Sequence, residues 1–133
     1  MKFETEKTVA YWSSGAEYDL DTANKLLKDG KYPYGLFFGH LAVEKILKAL
    51  VVKETRAHAP YTHSLPLLAS KLKLKIPKGI KEKLAGFMEF YLEARYPDQQ
   101  KEYYQKCTKE FARKNLKEIK EVFKWLKTRL EKS

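Results

Sequence analysis

With 133 residues, 44% of them apolar and 14% aromatic, the chain is long enough to pack one domain around its own core without a metal or disulfide staple. Lys and Arg exceed Asp and Glu by ten and the sequence pI is near 9.5, which biases the molecule toward polyanions: nucleic acid, nucleotides or an acidic protein. A solvated surface of ion-paired lysines, of the kind found in heat-adapted proteins, accounts for the same excess. The single cysteine, Cys107, excludes an internal disulfide framework and fits a reducing compartment.

The first segment, Met1 to Lys7, alternates charges and lacks the apolar core of a signal peptide, so a cytoplasmic protein is expected. A helix is predicted over about Glu4 to Asp29, with Val9, Trp12, Ala16, Leu20, Ala23 and Leu27 at three- and four-residue steps and Gly30 as its stop. Asp19 projects between Trp12 and Leu26, inside the apolar face.

A second helix, about Tyr34 to Glu54, is apolar around most of its circumference, which makes it the central element. Its most apolar stretch, Leu36 to Val52, is interrupted by His40, Glu44, Lys45 and Lys48 and is no membrane span. His40, Glu44 and Lys48 form an i, i+4, i+8 ladder along it.

A loop from Thr55 to Thr62 leads to a short helix at about Ser64 to Leu72, with Ser64 as N-cap and Pro66 tolerated in the first turn. Pro77 opens a fourth helix, about Lys78 to Ala94, whose stripe of Ile80, Leu84, Phe87, Met88, Tyr91 and Leu92 runs up to Arg95, Tyr96 and Pro97. At 100° per residue Arg95 falls in the middle of that stripe. A guanidinium is not neutralised by burial, so it must meet a carboxylate, a phosphate or a second subunit.

The fifth helix, about Gln99 to Lys132, repeats the amphipathic pattern with Tyr104, Phe111, Leu116, Ile119, Val122 and Leu126. Opposite that stripe Lys106, Lys109, Arg113, Lys117, Lys120, Lys124 and Lys127 make a basic ridge. The ridge is either a track for phosphates or a solvated outer face; no stacking aromatic is interleaved with it. The expected architecture is an all-α, up-and-down antiparallel bundle of four main helices plus one short helix, in a single domain over residues 1–133.

The catalytic and cofactor signatures are mostly missing. There is no G-x-G-x-x-G, P-loop or G-x-S-x-G pattern, and the three histidines, His40, His58 and His63, lack ligand-spaced Cys or carboxylate clusters, so no metal and no cofactor is expected. Asp19, Glu44 and Arg95 are candidates to meet, either as a network that fixes helix register or as part of a site.

Four stretches in order carry a family resemblance: Ala16 to Ala23, the central Phe38 to Leu50, the turn Thr62-His63-Ser64-Leu65, and Arg95-Tyr96-Pro97-Asp98. Over about residues 8 to 128 the chain resembles the HEPN domain of prokaryotes. The resemblance implies a helical bundle, a homodimer, a link to nucleotides and RNA, and a minimal nucleotidyltransferase as partner in a toxin-antitoxin pair. Many such domains are metal-independent ribonucleases that use an Arg followed after four to six residues by a His, one pair from each subunit, the Arg binding phosphate. Arg95 matches that Arg, but the His positions hold Gln100, Lys101 and Glu102. Tyr103 and Tyr104 lie near a tyrosine that partner enzymes modify with AMP in related domains.

The expectation is therefore a non-catalytic module binding a nucleotide, RNA or a nucleotidyltransferase through Arg95, Tyr96, Asp98, His40, Glu44, Lys48 and Asp19. The alternative is a ribonuclease in which Lys101, Tyr103, His40 or His63 replaces the motif His.

Overall fold

The computed structural model describes residues 2–92 and 97–132. It contains helices α1 (Thr5–Lys28), α2 (Tyr32–Thr55), α3 (Leu65–Ser70), α4 (Lys78–Phe87), α5 (Pro97–Lys106) and α6 (Lys109–Lys132), with a 3₁₀ turn at Met88–Phe90. Among the described residues there is no strand, and no helix is long and apolar enough to cross a membrane.

The all-α bundle forms around α2, where Leu36, Val43, Ile46, Leu47 and Val52 are fully buried. Its two long neighbours both pack against it, α1 through Ala16 and Ala23, α6 through Ile119, Val122 and Leu126, and touch each other. Small residues on α2 permit the close approach. A Cβ on Gly35 would collide with the Leu27 side chain and lie 3.3 Å from the Ala23 carbonyl; one on Gly39 would lie 2.8 Å from Ile119 Cδ1.

The α1–α2 turn is a Schellman motif: Gly30 adopts φ 78°, its N–H donates to Leu27 O (3.1 Å), and Lys31 N–H donates to Leu26 O (2.8 Å). Ser64 caps α3 as predicted, its Oγ accepting from Leu67 N at 3.2 Å. Two side chains of α2 tie loose ends down. Glu54 accepts from Lys73 N (2.7 Å) and Leu74 N (3.2 Å), and Lys53 Nζ donates to Leu130 O at 2.8 Å near the C-terminus of α6.

Two predicted long helices are each shorter than their apolar pattern. The fourth stops at Phe87, tightens into the 3₁₀ turn, and leaves Tyr91 extended at φ −80°, ψ 95°. At this point the Phe87 carbonyl, which would bond Tyr91 N–H in a continued helix, lies 3.3 Å from His40 Nδ1, while Tyr91 N–H donates to Met88 O at 3.2 Å. The projection of Arg95 from a continuous helix therefore does not hold, and Arg95 and Tyr96 themselves lie outside the described residues.

The fifth predicted helix divides at Cys107 and Thr108, where Thr108 Oγ1 takes Phe111 N–H (3.1 Å) and starts α6 afresh. The break shifts the phase of everything before it: Tyr103 is buried in the core, whereas Tyr104, predicted to belong to the apolar stripe, is 40% exposed. The Tyr104 phenol is pushed up to about 12 by its hydrogen bond with Tyr34.

Packing makes the glycines unequal. Gly39→Val is expected to lower stability by about 1–3 kcal/mol through overpacking against Ile119. Gly86→Ala on α4, where an added Cβ meets nothing within 4 Å, should raise it by about 0.5–1 kcal/mol. Urea unfolding of the two variants beside the parent chain checks both.

Candidate functional site

The ladder on α2 assembles around one carboxylate. Glu44 is 3% exposed, and its two oxygens are shared among three cation-capable groups. Oε2 accepts from Lys48 Nζ at 3.0 Å; Oε1 lies 3.0 Å from His63 Nδ1 and 3.5 Å from His40 Nε2. Helical spacing supplies His40 and Lys48 one turn to either side. His63 comes from the loop before α3.

His40 is fully buried, and both ring nitrogens face carbonyl oxygens: Nδ1 the Phe87 carbonyl, Nε2 the His63 carbonyl at 3.1 Å. A neutral imidazole donates through one nitrogen only. The ring is held between the two carbonyls with the Glu44 carboxylate beside it. One side chain thus pins the end of α4 and the loop before α3 to the central helix.

Tyr91 closes the cluster. Its ring stacks on His63 (centroids 4.7 Å, planes 23° apart) and leans on His40 at 5.1 Å. Lys48 Nζ stands 5.0 Å over the Trp12 ring of α1, so its charge is met by Glu44 on one side and a π-face on the other. A cleft of about 500 Å³ between Met88–Tyr91 and α5 opens beside Tyr91, and a second of about 670 Å³, lined by Phe3, Tyr11, Trp12 and His58, opens beside Trp12.

Burial pushes the Glu44 carboxyl up, but the hydrogen bonds from His40, Lys48 and His63 and the Lys48 charge outweigh it, and the net displacement is below the ordinary carboxylate value.

The predicted site residues divide accordingly. His40, Glu44 and Lys48 come together as a single network, with His63 and Tyr91 as members that the sequence placed elsewhere. Asp19 is not in it: its Oδ2 pairs with Lys45 Nζ at 2.7 Å, the lysine stem crossing Gly15, where an added Cβ would lie 3.3 Å from Lys45 Cδ. The expected meeting of Asp19 with Glu44 is therefore corrected. The Lys48 ammonium is buried and paired with Glu44. Arg95 and Tyr96 lie outside the described residues, and Asp98 is described only as a residue of α5.

A family model described as HEPN domain matches residues 9–130 of the chain, a span that holds the central ladder and the His63 turn. The chain belongs to the HEPN domain family. Its backbone also superposes on the crystal structure of TT1696 from Thermus thermophilus with a TM-score of 0.77, at 22% identity, over 90% of this chain and 96% of that one. At that identity the likeness speaks for the HEPN fold alone. No curated protein sequence matches the chain.

Because the folded Glu44 carboxyl sits below its ordinary value of 4.5, the stability it contributes is present above pH 4.5 and is lost as pH falls through the depressed folded value. Unfolding free energies measured downward from that pH should fall less steeply in Glu44→Gln than in the parent. Glu44→Leu leaves the buried Lys48 ammonium without its counter-charge and is expected to cost about 3–5 kcal/mol, read by the same denaturation.

Proposed function

We propose that this HEPN domain is a binding module without catalysis of its own, acting as a homodimer that engages a nucleotide, RNA or a nucleotidyltransferase partner through the segment containing Arg95, Tyr96 and Asp98. The observation that supports it is the closure of the Glu44 network. His40 has both nitrogens engaged and no exposure, and Lys48 is held by Glu44 and Trp12, so neither is free to move a proton to or from a ligand. Gln100, Lys101 and Glu102 stand where the family's catalytic His would be.

In this reading the network is a clamp. It fixes Tyr91, four positions before Arg95 in the chain, against the central helix, and so limits where the following segment starts. The Arg supplies a planar, permanently charged group suited to phosphate or to an acidic partner. Arg95→Ala is expected to weaken binding of the partner or nucleotide at least tenfold by isothermal titration, a loss of about 1.4 kcal/mol. Unchanged affinity for every ligand that binds the parent would remove the proposal.

A second reading, a metal-independent ribonuclease, has one observation in its favour. The His63 side chain is 43% exposed, and Glu44 holds its Nδ1, which leaves Nε2 as the lone-pair nitrogen of a carboxylate-oriented imidazole. Under the binding reading, purified protein in EDTA leaves structured RNA intact. Cleavage that disappears in both His63→Ala and Arg95→Ala would instead establish His63 as the replacement for the missing His.

A further inference from the structure

The basic ridge of the last third of the chain is not one surface. Lys106 belongs to α5 and pairs with Glu89 at 3.1 Å, and at the other end Lys127 pairs with Glu17 on α1. Between these neutralised ends Lys109, Arg113, Lys117 and Lys120 line a groove of about 700 Å³ together with Lys28 and the α1–α2 turn. Five cations thus meet one carboxylate, Asp29, and none of the five is in an ion pair among the described residues.

Proteins ordinarily relieve such a concentration by interspersing acids, as this one does at Glu17 and Glu89. Here the uncompensated stretch coincides with a concavity, whose walls focus the field of the charges. Along α6 the four cations recur about once per helical turn, roughly every 5–6 Å, over about 16 Å. That is a linear array of point charges, matched by a chain of regularly spaced anions rather than by one compact anion. Leu27, Leu116 and Tyr32 form the apolar part of the lining, with no cluster of rings to stack successive bases.

We propose that this groove binds the phosphodiester backbone of a single-stranded nucleic acid, without reading its sequence. The site shares no residue with the Glu44 network, and the inference does not rest on the function proposed for Arg95. Lysines contribute charge, Arg113 a fork able to hold one phosphate in two bonds, and the exposed ends of the groove let a strand run through. Asp29 sits at the α1 end, where it disfavours the strand and sets the boundary of the track.

The test is fluorescence anisotropy of a labelled oligouridine of about 12 nucleotides, a length within the range of single-strand binding sites, titrated at several salt concentrations. For single strands, the log–log salt slope is about −0.7 per phosphate neutralised, so Arg113→Gln/Lys117→Gln should make it shallower by about 1.4 and weaken binding about tenfold or more at low salt. Lys73→Gln/Lys75→Gln, two exposed lysines before α4, is the charge-matched control and should retain the parent slope. Three results would overturn the assignment: an unaltered slope in the groove variant, an equal loss in the control, or displacement of the strand by ATP or polyglutamate at equal anionic charge.

Discussion

A buried carboxylate on the central helix is the constraint to which one end of this HEPN domain answers. Glu44 lies where α1, α2, the loop before α3 and the end of α4 converge, and an unpaired carboxylate there would be intolerable. Lys48 gives it a counter-charge, and His40 and His63 give it hydrogen bonds. Each partner in turn carries a second contact: Lys48 with Trp12, His40 with the carbonyls of Phe87 and His63, His63 with Tyr91. Replacing such a cluster by well-packed apolar groups often stabilises a protein, so its presence is better explained by geometry than by stability. It dictates where three separate segments must lie.

The consequence is a helix ended by its surroundings. Lys78 to Leu92 contains no proline, Gly86 beside the break is its weakest helix former, and the apolar stripe continues past Phe87. Where the helix ends, the Phe87 carbonyl meets the buried imidazole of His40. Tyr91 is then free to turn its ring onto His63, which a helical continuation would not permit.

Charge is distributed by the same logic of local pairing. Asp19, Glu17 and Glu89 each take one lysine across a helix boundary, Lys45, Lys127 and Lys106 respectively, so the net positive charge of the chain is not spread evenly. It accumulates where α6 passes the α1–α2 turn, and the one acid lining that groove is Asp29. A ridge that looks uniform on a helical wheel therefore becomes two anchored ends and an open middle.

Much was legible in the chain alone. Apolar periodicity set the helical class, the central place of α2, the Gly30 stop and the Ser64 cap, because these depend on neighbours within four residues. The His40, Glu44, Lys48 ladder was visible for the same reason, since a helix fixes which side chains face each other. What the sequence by itself did not determine is everything that required a distant partner: the break at Phe87, the new start at Thr108, the recruitment of His63 and Tyr91, and the diversion of Asp19 to Lys45. Those were decided by tertiary structure, because a carbonyl or carboxylate in the core takes whichever donor packing brings within reach, and periodicity carries no record of that competition.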